Sequence, residues 1–273
     1  MNIINIDDVR RLAPAAFSNT PDSSLSASYA HVTTAAVLDA LQQDGWAITD
    51  ARQVRSRSLA SVEHRKHEIS LTHPDLPTHA EGSPLLRLAN SSDGASAFRL
   101  IGGFLRSACT NQLYAGIKVV GGVFNHRGGS LEDRIVAGAR DARANFDKVI
   151  SRVDLWRAIE LSPEQQLAFA RRGIASRWPS NGPEFASLPQ ILTPRRVEDG
   201  TANLWSVFNR TQEAMIRGGF EAAFRRHDEQ GNELPGLFHR RVRKVTGLTA
   251  NERINTQLWE LAESVASGQE VLA

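Results

Sequence analysis

Apolar positions follow two different periods along this chain, and the change between them divides it. From Ser130 onward, Ile135, Ala139, Ala142, Phe146, Val149, Val153 and Trp156 recur at steps of four and three. That spacing lines one face of an α-helix and predicts a long one over Leu131–Glu160, with Ser130 as N-cap and Glu132 and Asp133 in its first turn. "SPEQQLAFARRGI" predicts a second helix, capped by Ser162, opened by Pro163 and stopped at Gly173. Further helices are expected over Ala202–Arg226 and Asn251–Ser267, after a proline-rich linker, "WPSNGPEFASLPQILTP".

Before Ser130 the pattern is shorter and closer to alternation. A helix over Thr34–Asp44 precedes expected strands at Trp46–Arg57, His67–His73, Leu85–Asn90 and Leu113–Phe124. "SSDG" reads as a turn, because an aspartate side chain bonds backbone amides and glycine accepts positive φ. "ASAFRLIGGFLRSA" reads as either a strand with a glycine bulge or a short helix. Five short-linked strands followed by helices predict an α+β fold: an antiparallel sheet in the N-terminal half and a helical C-terminal half. The expected organisation is a flexible arm over residues 1–27, a sheet-rich part over 28–130 and a helical part over 131–273 packed on it as one integrated domain.

Composition narrows the function. The 273 residues are 41% hydrophobic and 23% charged, which is ordinary for a globular chain. No apolar run reaches the length of a membrane span, and the acids near the N-terminus do not suit a secretory signal. The single cysteine, Cys109, excludes a disulfide framework and a multi-cysteine zinc site; in "SACTN" it reads as a small buried thiol. A cytoplasmic protein is expected. The net charge is +2, unevenly spread. Residues 171–244 hold thirteen basic and eight acidic side chains, whereas 245–273 hold one and four.

Motifs for catalysis are missing. The paired glycines do not form a dinucleotide fingerprint, and the sequence contains no P-loop, nucleophile elbow or zinc-helix motif. No catalytic residue, metal or cofactor is expected. His64, His67, His73 and His79 read as loop and edge-strand histidines. "FNHRGGSLEDR" is the best local anion site: two glycines lead into a helix N-terminus, with His126 and Arg127 alongside.

Two basic clusters remain. Arg55, Arg57, Arg65 and Lys66 form one, and Arg240, Arg241, Arg243 and Lys244 form the other, without an intervening acid. Rows of this kind can track a phosphate backbone, with Tyr29, Phe98, Tyr114 or Phe124 as base-stacking candidates where exposed. Asp93, Arg99, Arg106 and Asn111 are ligand-binding or structural candidates.

Several segments together carry a resemblance. "SASYAHVTTAAVLDALQQDGW", "NSSDGASAFRLIGGFLRSACTNQL", "LWSVFNRTQEAMIRGG" and "RRVRKVTGLTANERINTQLWELAE" resemble, in that order, the blocks of a family borne by phages and plasmids, domain of unknown function 932. The resemblance spans about residues 28–264. Ser92 stands where that pattern has His, and Gln112 where it has Gly. The resemblance implies a mobile-element origin and supplies no chemistry. The residues themselves favour a non-catalytic nucleic-acid-binding protein, with single-stranded DNA as preferred partner, a role in annealing during replication or recombination, and a helical half suited to self-association. The alternative is a protein-interaction module that counters or recruits a host factor.

Overall fold

The structure, a computed structural model, describes residues 2–25, 29, 31–54, 62–94, 96–106, 112–114 (backbone only), 120–126 and 130–272. Arg55, Arg57, Cys109, Asn111 and Arg127 lie outside the described residues. The chain divides into two compact units, Met1–Ile150 and Ser151–Ala273. The architecture is α+β, with an antiparallel sheet in the first half and helices in the second.

The first unit is built on strands β1 (Ala47–Gln53), β2 (His67–Thr72), β3 (Gly82–Asn90), β4 (Phe98–Arg106), β5 (Gln112–Tyr114) and β6 (Gly121–Phe124). They pair in sequence order from β1 to β5, and β6 also pairs with β4. Cross-strand register puts Ile48, Ile69, Leu71, Leu86, Leu88, Phe98 and Leu100 on one face, and all are fully buried. Burying a set like this is the main stabilising term of a sheet. Helices α2 (Thr34–Gln43) and α3 (Leu131–Ala144) belong to this unit. At Gly138 of α3 an added Cβ would lie 2.5 Å from the Phe124 ring and 3.3 Å from Leu100, so glycine lets α3 close on the strands. On the opposite sheet face Arg87 and Glu68 form a buried ion pair at 3.5 Å. Arg106 lies 3.9 Å from Glu81, and Arg99 sits in β4 opposite Val123.

Several expectations need correction. Residues 2–25 are structured. Helix α1 (Ile6–Leu12) has a reciprocal capping box between Asn5 and Asp8, and Val9 is fully buried. The Ile4 amide donates to the Ile48 carbonyl of β1. β4 is a strand in unbroken register with β3, so its glycine pair is no bulge. Gly102 instead admits a close neighbour: its amide donates to the Val120 carbonyl at 2.7 Å, and an added Cβ would meet Val120 at 2.7 Å. β1 alternates only partly because its register shifts between Ile48 and Asp50. Of the expected strand over Leu113–Phe124, the two ends are described, as β5 and β6, and residues 115–119 lie outside the described residues.

The long helix after Ser130 is two helices, α3 and α4 (Asp147–Ala158). All seven periodic residues are buried. Periodicity continues across the break because Asn145 and Phe146 form a single turn, with the Asn145 amide side chain bonded back to Asp141.

The second unit packs α5 (Pro163–Arg177), α7 (Leu204–Arg217) and α8 (Leu248–Ala266), with a short α6 (Leu188–Leu192). Trp156, Trp205, Phe208 and Trp259 form its aromatic core, with Trp156 and Trp259 rings 4.4 Å apart. α7 is buried on every side from Leu204 to Ile216, so its polar residues are paired inward. Gln212 donates to Asn255 at 2.8 Å, and Arg196 holds Glu213 with two bonds at 2.6 and 2.9 Å. Gly173 does not stop α5. An added Cβ there would lie 2.6 Å from Thr211, so it permits close approach to α7.

This unit also holds an unforeseen three-stranded antiparallel sheet, ordered β7 (Phe185–Ala186), β8 (Glu221–His227), β9 (Glu233–Arg241). The expected helix over Ala202–Arg226 ends at Arg217. Gly218 and Gly219 then take φ of +66° and +92° and turn the chain into β8. A Cβ at position 218 would lie 2.3 Å from the Val242 carbonyl oxygen. Gly231 has a similar φ of +86° but nothing within 4 Å of an added Cβ. Gly231→Ala should therefore cost about 1 kcal/mol, from left-handed backbone alone, and Gly218→Ala at least about 2 kcal/mol, from strain plus displaced backbone. Chemical denaturation of the two variants measures the gap; equal losses would refute the close-approach account.

Candidate nucleic-acid interface

Two clusters gather the residues singled out in the sequence. The first lies inside the N-terminal unit. Thr34 opens α2, His67 opens β2, Asn90 ends β3, and His126 follows β6. Their side chains form one hydrogen-bonded chain. His126 Nε2 donates to Asn90 Oδ1 at 3.0 Å, and Asn90 Nδ2 donates to Thr34 Oγ1 at 3.1 Å. The Thr34 hydroxyl donates to His67 Nε2 at 2.8 Å, and His67 Nδ1–H donates to the Arg65 carbonyl at 2.9 Å. This assignment follows from donor and acceptor balance, since Asn90 fixes the direction of the whole chain. It makes His67 a neutral, Nδ1-protonated imidazole. Burial pushes its pKa down to about 4, against smaller upward effects from the Arg65 carbonyl bond and Asp93.

His126 therefore faces Asn90 in the interior, stacked on Tyr29 with ring centroids 4.5 Å apart. Burial, and then the charge of Asp93, push the Tyr29 hydroxyl up to about 12. Asp93 itself is exposed, and Gly94 takes the positive φ, +75°, that the turn reading requires. Of the histidines expected at an edge or in loops, His67 differs by lying on the inner strand β2, and both His67 and His73 are buried; His64 and His79 are half-buried outside the strands. Among the described residues no three His, Cys, Asp or Glu side chains converge as metal ligands. Phe98 is buried, and Arg65 and Lys66 are half-buried.

The second cluster lies in the C-terminal unit, where α5 ends and β9 runs out. Arg177, Trp178, Arg240, Arg241, Val242 and Arg243 line a cavity of about 670 Å³. Antiparallel register places Phe238 opposite Phe224 and Arg240 opposite Ala222, so all four share one face of the hairpin. The Phe224 and Phe238 rings stack at 5.5 Å. The Arg240 guanidinium lies 4.3 Å above Phe224 and 5.4 Å from Phe238. Trp178 meets Phe224 edge-on at 5.6 Å.

Arg177 has its fork committed: it donates at 2.5 Å to both the Met215 and the Arg243 carbonyls. The first of these lies in the last turn of α7, where a cation is favoured. Arg195 donates to the Gly218 carbonyl at the same helix end. Burial, and then the nearby charge of Arg240, lower the Arg177 pKa to about 10, so it stays charged at neutral pH.

Glu233 of the hairpin and the neighbouring Glu184 are both engaged by one arginine. Arg225 binds Glu184 and Glu233, each at 2.5 Å. Glu221 is the cross-strand neighbour of Arg241 but not within ion-pair distance of it. Among the described residues, Arg240, Arg241, Arg243 and Lys244 have no carboxylate partner. Those four are the cluster singled out in the sequence, and Arg240, Arg241 and Arg243 of it line the cavity. Sequence reasoning missed Arg177, Trp178, Phe224 and Phe238. The Phe-x-Arg spacing of Phe238 and Arg240 was the available signal, because residues two apart share a strand face.

These features define a two-unit α+β protein with an arginine-lined cavity beside an aromatic strand face. The chain belongs to the family described as "Domain of unknown function (DUF932)", whose model matches residues 22–259. It is similar to two Escherichia coli K12 proteins. The UPF0380 protein YafZ is 30% identical over 259 residues, covering 95% of this chain and 90% of the relative. The UPF0380 protein YfjQ is 29% identical over the same shares. No solved structure matches. Among the described residues no helix is long and apolar enough to cross a membrane.

His67 gives a pH prediction. Its folded pKa of about 4 lies below the ordinary value near 6.5, so below pH 6.5 the unfolded state binds the extra proton. The stability it supports is complete above pH 6.5 and falls as pH drops toward 4. Between pH 7 and about 4.5 the loss is roughly 2 kcal/mol. Denaturation midpoints of wild type and His67→Gln should converge across that window; parallel curves would mean that His67 is not buried neutral. Thr34→Val interrupts the chain and should cost about 1–3 kcal/mol, measured by urea unfolding at neutral pH.

Proposed function

We propose that this chain is a non-catalytic protein of a phage or plasmid that binds single-stranded nucleic acid, DNA in preference, in the cytoplasm of a bacterial host. One observation carries the reading: Arg177, Arg240, Arg241 and Arg243 converge on a single cavity with no described carboxylate to neutralise them. Like charges held together repel, and a polyanion relieves that repulsion while releasing counterions. Aromatic faces beside the cations supply a second element, since bases stack on exposed rings and on guanidinium planes. Phe238 is 40% exposed and lies against the stacked Arg240. Annealing during replication or recombination, and self-association through the helices, are the biological extension of this reading.

The test is a binding series with single-stranded DNA, duplex DNA and RNA at two salt concentrations. Single strands should bind best, and log affinity should fall linearly with log salt. Arg240→Ala and Arg243→Ala should each reduce that slope by about 0.7, the value for one phosphate contact on a single strand. Absence of binding at about 50 mM salt, where electrostatic contacts are strong, would exclude the reading.

A further inference from the structure

The cavity has a feature that general strand binding does not require. The arginines line a pocket of about 670 Å³, a volume within the range of sites that take a single small ligand. The charge there is also concentrated. Four arginines line one site, whereas each internal phosphodiester brings a single negative charge. A terminal phosphate monoester brings nearly two at neutral pH, on three strong acceptor oxygens.

Resting on the nucleic-acid reading above, we infer that this cavity receives the phosphorylated end of a single strand. The terminal phosphate sits among Arg240, Arg241 and Arg243, and the end base lies toward Trp178.

The arginines divide this work by what each has free. Arg177 already donates to the Met215 and Arg243 carbonyls, so it contributes fixed charge and holds the wall in place. Arg240 is positioned by its stack on Phe224 and Phe238 and makes no hydrogen bond to another described side chain. Its N–H edge is available for the planar, two-point contact that guanidinium makes with phosphate. Arg243 is anchored through its carbonyl, leaving its side chain exposed to the cavity. Trp178, half-exposed at the end of α5, is the aromatic side chain in the cavity wall.

The measurement compares short oligodeoxythymidines carrying a 5′-phosphate, a 3′-phosphate or hydroxyls at both ends, titrated at equal salt into the full chain. One phosphorylated end should bind about tenfold or more tightly than the hydroxyl-ended strand, and which one identifies the polarity of the site. That preference should shrink as pH falls below the second phosphate pKa near 6. Arg240→Ala and Arg243→Ala, each checked for an unchanged circular-dichroism melt, should abolish it while leaving weaker binding of all three strands. Equal affinity for the three strands in wild type would overturn this inference and leave the nucleic-acid reading standing. A preference that survives both variants would overturn it too, by placing the phosphate elsewhere. Failure of every strand to bind at low salt would remove both.

Discussion

A single close approach of backbone to backbone shapes the C-terminal unit. The Gly219 amide donates to the Val242 carbonyl at 2.8 Å, and the same oxygen sits where a Cβ on Gly218 would be. No other residue type allows that contact at positive φ. It brings the chain leaving β9 against the end of α7. The exposed α7 carbonyls then find arginines: Arg177 takes Met215, and Arg195 takes Gly218. Arg177 also takes the Arg243 carbonyl, which fixes the strand end beside α5. The cavity is the space these contacts leave, and its positive charge follows from them. Helix carbonyls attract arginines for structural reasons, and Arg240 and Arg241 at the end of β9 and Arg243 just beyond it add three more to the cavity lining.

The N-terminal unit uses the opposite strategy for its polar residues. Its signature asparagine is spent inward, on a directional chain from His126 through Asn90 and Thr34 to His67. Each donor meets one acceptor, which is what makes burial of four polar side chains tolerable. That chain ties the start of α2 to two strands and to the segment after β6. The end of β3 is therefore bound up in holding the sheet and helix together.

Legibility varied with how local each signal was. The change of period at Ser130 located the sheet-to-helix division, because burial on one face imposes spacing on any sequence. Caps at Thr33, Ser162 and Asn5 mark helix starts by side-chain bonds within three residues, although the Asn5–Asp8 box was passed over. The break at Asn145 left no trace in the apolar spacing, since one turn preserves the buried face. The Gly218–Gly219 pair was read through, because its meaning depends on Val242, far along the chain. Gly173 was misread for the same reason: it answers to a neighbour, Thr211, that local pattern does not name.

The sequence by itself determined the fold class, the buried apolar faces, the family and the uneven placement of positive charge. Those properties are sums or periods over neighbouring residues. Tertiary structure alone decided which charges stay uncompensated. Glu184 and Glu233 are near the basic strand in sequence or space, yet both are taken by Arg225. Arg177, more than sixty residues from Arg240, joins it in one cavity. Whether an arginine faces a carboxylate, a carbonyl or open space depends on chain crossings that no linear spacing encodes.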